Sequence, residues 1–199
     1  MPFKTDGTRE YRSFFSNFSV VSDTGYIVEG YATTFDVPYD FVEGWKECVK
    51  KEALQTADLS DVIFQLNHEG QPLARQRNNT LELKLDDHGL YVKADLGCSQ
   101  AGRDLYEAIK SGLIDKMSWG FSIADDGYTM DEQAHTSFIT KIKKVYDVSA
   151  VSIPANQDTD IHARSYLSGA LEQRQLEQLK RDRQKALLAL KVNLLNVKE

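Results

Sequence analysis

Only two cysteines, Cys48 and Cys98, occur in 199 residues. That excludes a disulfide framework and a cysteine-based zinc site, and it suits a reducing compartment. Apolar runs are short, and none approaches the roughly 20 residues needed to cross a bilayer. The stretch Met1-Pro2-Phe3-Lys4-Thr5-Asp6 leads into polar sequence instead of an apolar signal core. Positive charge is outweighed, with 24 Lys/Arg against 30 Asp/Glu. The formal net charge is −6, so the broad basic surface of a nucleic-acid binder is missing. Histidine occurs only at 68, 88, 135 and 162, without the spacing of metal ligands. No membrane, nucleic-acid, metal or cofactor role is expected.

What is present is an ordinary soluble balance, 41% hydrophobic and 27% charged, at a length that suits one domain with an extension. Short β-prone stretches recur. Residues 26–35 read as a strand and 62–66 as a buried one. Residues 81–85 and 90–96 read as a hairpin about the turn Asp86-Asp87-His88-Gly89. Residues 42–53 are ambiguous and lean to strand. Residues 99–111 read as an amphipathic helix with Leu105, Tyr106 and Ile109 on its apolar face and Gly112 as its stop. Strands are expected again at 114–124, 138–145 and 147–153, the last ended by Pro154. Residues 1–12 read as polar and frayed, and 125–136 as a surface loop. Many short strands with one well-marked helix point to a mostly β, α+β fold built on a closed barrel.

The composition changes near residue 165. Neither Gly nor Pro occurs from Ala170 to Glu199, and from Ser165 onward leucines lie among seven Lys/Arg and four Asp/Glu. This reads as a domain at 1–165 followed by a long charged helix, or two, at 166–199.

Three residues stand out for chemistry. Ser118 lies between Met117 and Trp119, with Gly120 leaving room for another backbone or a substrate. Serine is a poor nucleophile unless a base stands within hydrogen-bond reach. His68, at the end of the 62–66 strand, is the candidate base, because imidazole titrates near neutrality. A third group usually orients such a base, and Asp147 is the candidate. The plainer alternatives are a strand serine with a structural role, a histidine capping a turn, and an aspartate paired with Lys141, Lys143 or Lys144. Glu69 rivals Asp147 as orienter, although neighbouring strand residues point to opposite faces. His162 is a further alternative.

Five groups of residues, in order, resemble the tailed-phage prohead proteases. They are Gly30-Tyr31-Ala32 with Phe35; Asn67-His68-Glu69 with Pro72-Leu73-Ala74-Arg75; the 81–96 hairpin with Gly89-Leu90; Gly112 with Met117-Ser118-Trp119-Gly120-Phe121; and Asp147-Val148-Ser149-Ala150-Val151 with Pro154-Ala155 and Ala163-Arg164-Ser165. The resemblance covers about residues 26–165. It implies a serine endopeptidase that matures procapsids, with a β-barrel ringed by helices similar to that of the herpesvirus assembly proteases. It carries the nucleophile onto Ser118, the base onto His68 and the third member onto Asp147. Backbone N–H groups of Ala155 and Asn156 are the expected oxyanion donors, with Arg75 and Arg164 as charged helpers. The implied partners are the major capsid protein and its scaffold segment, met inside the assembling procapsid in the host cytoplasm. Dimerisation through a helix, as in the herpesvirus relatives, is a further expectation. A competing reading is an inactive assembly or scaffolding factor working through its helical tail.

Overall fold

The computed structural model describes residues 9–14, 19–21, 25–42, 44–152 and 180. The chain divides into two units, Met1–Asp160 and Ile161–Glu199, and the description that follows concerns the first. In chain order its elements are β1 (Glu10–Phe14), β2 (Ser19–Val20), β3 (Ile27–Thr34), β4 (Tyr39–Val42), β5 (Trp45–Val49), β6 (Ile63–Leu66), β7 (Glu69–Arg75), β8 (Leu81–Leu85), β9 (Gly89–Asp95), α1 (Gln100–Lys110), β10 (Lys116–Ile123), β11 (Tyr128–Asp131), β12 (Thr136–Ile139) and β13 (Ile142–Val151).

The strands make three open sheets. One has five strands in the order β1-β10-β13-β6-β7; the other two have four each, β11-β12-β5-β4 and β2-β3-β9-β8. The expected closed barrel ringed by helices does not form. Closure needs an unbroken ladder around the circumference, whereas among the described residues the strands form three separate ladders, each with two edge strands. Among the described residues of this unit α1 is the single α-helix. The long carboxy-terminal helix is likewise not seen among them, since 166–199 lies outside the described residues apart from position 180. A count of short strands reports ladders but not whether they close.

Two other regions differ from expectation. The end of the 1–12 stretch read as frayed forms the start of β1, which pairs antiparallel with β10 in the register Ser13↔Ser118. The loop read at 125–136 contains β11, paired with β12. The helix is as expected: the Ser99 hydroxyl accepts from the Gly102 N–H at 3.0 Å, Leu105, Tyr106 and Ile109 are buried, and Gly112 follows at φ 74°.

The five-stranded sheet positions the site, through simple alternation along β10. Met117, Trp119 and Phe121 face the core together with Phe64, Val148 and Ala150, and all six are fully buried. Trp119 stacks on Phe121 with ring centroids 4.1 Å apart. Ser118 and Gly120 face the other way, as alternation requires. The edge strand β1 is pinned on the core side by a buried fork. Arg12 Nε and Nη2 donate to Glu47 Oε1 and Oε2 at 2.5 and 3.2 Å, and the guanidinium lies 4.5 Å from the Phe41 ring centre.

Candidate active site

His68 is delivered by a tight hairpin. Leu66 pairs with Glu69 across the β6–β7 turn, so Asn67 and His68 are its two central residues. Both have positive φ, 52° and 61°, as a two-residue hairpin of matching twist requires. Asparagine accepts that conformation readily. Histidine does so at a cost of about 1 kcal/mol, and such strain concentrates at functional sites. The turn is tied to the end of β13. The Asn67 N–H donates to the Ala150 carbonyl at 2.9 Å, and Asn67 Oδ1 accepts from the Ser152 N–H at 3.0 Å.

β13 runs parallel beside β6 and antiparallel beside β10. Its pairing with β10 slips by one residue after Gly120↔Asp147, leaving Tyr146 as a bulge. Bulges re-aim neighbouring side chains, and here the neighbour is Asp147. Its carboxylate is fully buried and well supplied with donors. Oδ1 meets His68 Nδ1 at 2.5 Å and accepts from the Ser149 hydroxyl at 2.9 Å, while Oδ2 accepts from Arg9.

A carboxylate only accepts, so Nδ1 carries the imidazole proton and Nε2 presents its lone pair. That lone pair faces Ser118 Oγ at 2.6 Å. The Arg12 carbonyl is a second acceptor for the same hydroxyl, at 2.9 Å. Burial pushes the His68 imidazole down to about 4, and the Arg9 cation acts in the same sense. The ring is therefore neutral, and able to accept a proton, across the neutral range. A hydroxyl, an imidazole and a carboxylate so joined can generate an attacking alkoxide without any metal; this is the arrangement of the serine-nucleophile hydrolases.

The other expected residues fall elsewhere. Glu69 is exposed on β7. Arg75 is not brought to the site. It pairs with Ile63 at the opposite end of the hairpin from the turn, where Asp61 holds its guanidinium through both oxygens at 2.6 and 2.5 Å. Lys144 is paired with Asp58 and Lys141 with Asp126, so neither competes for Asp147. Ala155, Asn156, His162 and Arg164 lie outside the described residues. Sequence reading gave no role to Arg9, Tyr11, Asn67 or Ser149. The i, i+2 spacing of Asp147 and Ser149 was the available signal for the last. Among the described residues no three His, Cys, Asp or Glu side chains gather as they would around a metal ion.

The class defined by this geometry has a family to match. The chain belongs to the caudovirus prohead serine proteases, whose family profile matches residues 16–174. The prohead protease of Enterobacteria phage HK97 is 29% identical over 157 residues, covering 78% of this chain and 68% of that protein. The prohead protease of Escherichia phage T5 is 27% identical over 100 residues, covering 50% of this chain and 46% of that one. Among solved structures, the bacteriophage T4 capsid assembly protease aligns with a TM-score of 0.53 at 15% identity, over 75% of this chain and 100% of that one. At that identity the likeness speaks for the fold alone.

Proposed function

We propose that this protein is a serine endopeptidase that cleaves the phage capsid protein and its scaffold segment during procapsid maturation. The observation that carries the reading is the hydrogen-bonded series Ser118–His68–Asp147, with contacts of 2.6 and 2.5 Å, in a chain of the prohead protease family. In the proposed reaction His68 Nε2 takes the Ser118 proton as Oγ attacks a peptide carbonyl. Asp147 keeps the other ring proton on Nδ1 and stabilises the imidazolium. The imidazolium then protonates the leaving amine. An acyl group is left on Ser118, and water activated by the same base resolves it.

Two donors must meet the oxyanion. Pro154 has no N–H, so the backbone groups of Ala155 and Asn156 are the proposed donors, with Arg164 as a charged helper. Residues 1–165 are the proposed protease domain. Residues 166–199 are a proposed charged extension that tethers the enzyme to the scaffold segment. The proposed place of action is the interior of the assembling procapsid in the host cytoplasm, where confinement raises the effective concentration of substrate. On the likeness to the herpesvirus enzymes alone, we extend the proposal to a homodimer.

Co-expression with the phage's own capsid protein tests the reading. Wild type is expected to shorten the capsid protein, and Ser118→Ala to leave it at full length. Equal cleavage by the two would remove Ser118 as the nucleophile. Capsid assembly that depends on the wild-type protein but proceeds without any cleavage would favour the scaffolding role instead.

A further inference from the structure

We propose that Arg9 is a positioning residue of this site, and that the amino-terminal strand is a working part of it. The guanidinium grips the Asp147 carboxylate on the oxygen that His68 does not use. The inference rests on the Ser118–His68–Asp147 reading and goes beyond it, since Arg9 precedes residue 16, where the family match begins.

Five observations carry it. Asp147 is fully buried, and a buried charge must be paired and hydrogen-bonded to be tolerated. His68 and Ser149 occupy Oδ1, and Arg9 is on Oδ2. The slot for that ion pair is kept open by Gly120, where a Cβ would overlap both Asp147 Oδ2 and Arg9 Nε. The guanidinium is also held between two rings from different strands, 5.3 Å from the centre of Tyr11 and 5.0 Å from that of Tyr146. Finally, the Tyr11 ring packs on the His68 imidazole with centroids 4.4 Å apart. One short strand, with the residue before it, thus touches both the base and the group that orients it.

The charges around His68 set the expected signature. Asp147 faces it from β13, Arg9 and Tyr11 from β1 and the residue before it, Ser118 from β10, and Glu69 adjoins it on its own hairpin. Removing the Arg9 cation takes away a charge that opposes protonation of the ring. It also leaves Asp147 without its counter-charge. Both effects raise the pH at which His68 protonates. A merely structural arginine would move stability but not that midpoint.

A fluorophosphonate probe reports how active the serine is without knowledge of the substrate. Its labelling rate is measured against pH on the full chain, for wild type, Ser118→Ala, Arg9→Gln, Arg9→Lys and Gly120→Ala. Arg9→Gln is expected to slow labelling by up to ~10²-fold, the scale of a small misplacement of a reacting group. Its acid limb should move to higher pH. Arg9→Lys should recover most of both losses, and Gly120→Ala should resemble Arg9→Gln. Imidazole titration by NMR in the Ser118→Ala background checks the midpoint without any turnover. Labelling that persists in Ser118→Ala would overturn the serine reading itself. Labelling confined to Ser118, with rate and acid limb unchanged in both Arg9→Gln and Gly120→Ala, would overturn the Arg9 proposal alone.

Discussion

The two faces of the five-stranded sheet use the same strands for opposite ends. On the core face, Met117, Trp119 and Phe121 of β10 lie with Val148 and Ala150 of β13, all fully buried. The polar groups near that face, Arg12 and Glu47, neutralise one another in a fork. On the other face the intervening residues, Ser118, Gly120, Asp147 and Ser149, assemble a connected set of proton donors and acceptors. That set is joined to His68 from the hairpin and to Arg9 from the edge. The difference teaches that a strand's period of two lets one rigid element hold a core and a reaction centre side by side. A one-residue slip would exchange them. The apolar face fixes the register, and the register aims the serine.

Neighbouring residues on β10 therefore have separable consequences. The largest expected effect is on activity alone. Ser118→Ala should lower kcat by about 10⁶-fold, as loss of the nucleophile does in serine hydrolases, with an unchanged melting curve. A melting temperature that falls with activity would blur the two faces. Asp147→Asn comes next, at about 10⁴-fold in kcat, measured with the same cleaved substrate; a loss under tenfold would demote Asp147 from orienter to packing residue. Trp119→Ala, one position from the serine, should instead cost about 3–5 kcal/mol of stability through the cavity it leaves. Denaturant unfolding would read that directly, and a cost below 1 kcal/mol would contradict the account of the core face.

The smallest effect is on pH dependence. His68 must be neutral to accept the serine proton, and its midpoint is depressed from 6.5 to about 4. Activity is therefore expected to hold below pH 6.5 and to be lost only as the pH falls through the folded value. Stability follows the same group. Between about 6.5 and 4 the unfolded chain binds a proton that the folded chain refuses, so stability rises with pH across that window. An activity profile with its acid limb at 6.5 or above would show that the site does not hold the ring as described.

Much of the site was legible because residue chemistry is local. A serine, a histidine and an aspartate at strand ends are visible as residue types, and their order matched a family pattern. The β10 strand, the 81–96 hairpin and helix α1 were legible from periodicity. Three things were not. Whether the ladders close depends on pairing between distant strands, which alternation in one strand does not encode; hence a barrel was expected where three open sheets occur. Strand β1 is only five residues long, and it and the preceding Arg9 make ionic contacts: Arg12 with Glu47 and Arg9 with Asp147. It therefore looked like a frayed terminus. Gly120 suggests room for another backbone or a substrate, whereas the space it leaves is filled by the Asp147–Arg9 pair. In each case the missing information was a contact between segments that are not neighbours in the sequence, from Arg12 with Glu47 to Arg9 with Asp147.

The most direct test of the central claim is to map a covalent fluorophosphonate adduct by mass spectrometry in wild type and in His68→Ala. The account predicts a single labelled peptide containing Ser118, and its disappearance when the imidazole is removed. Labelling at a different serine, or labelling of Ser118 at an undiminished rate in His68→Ala, would contradict it.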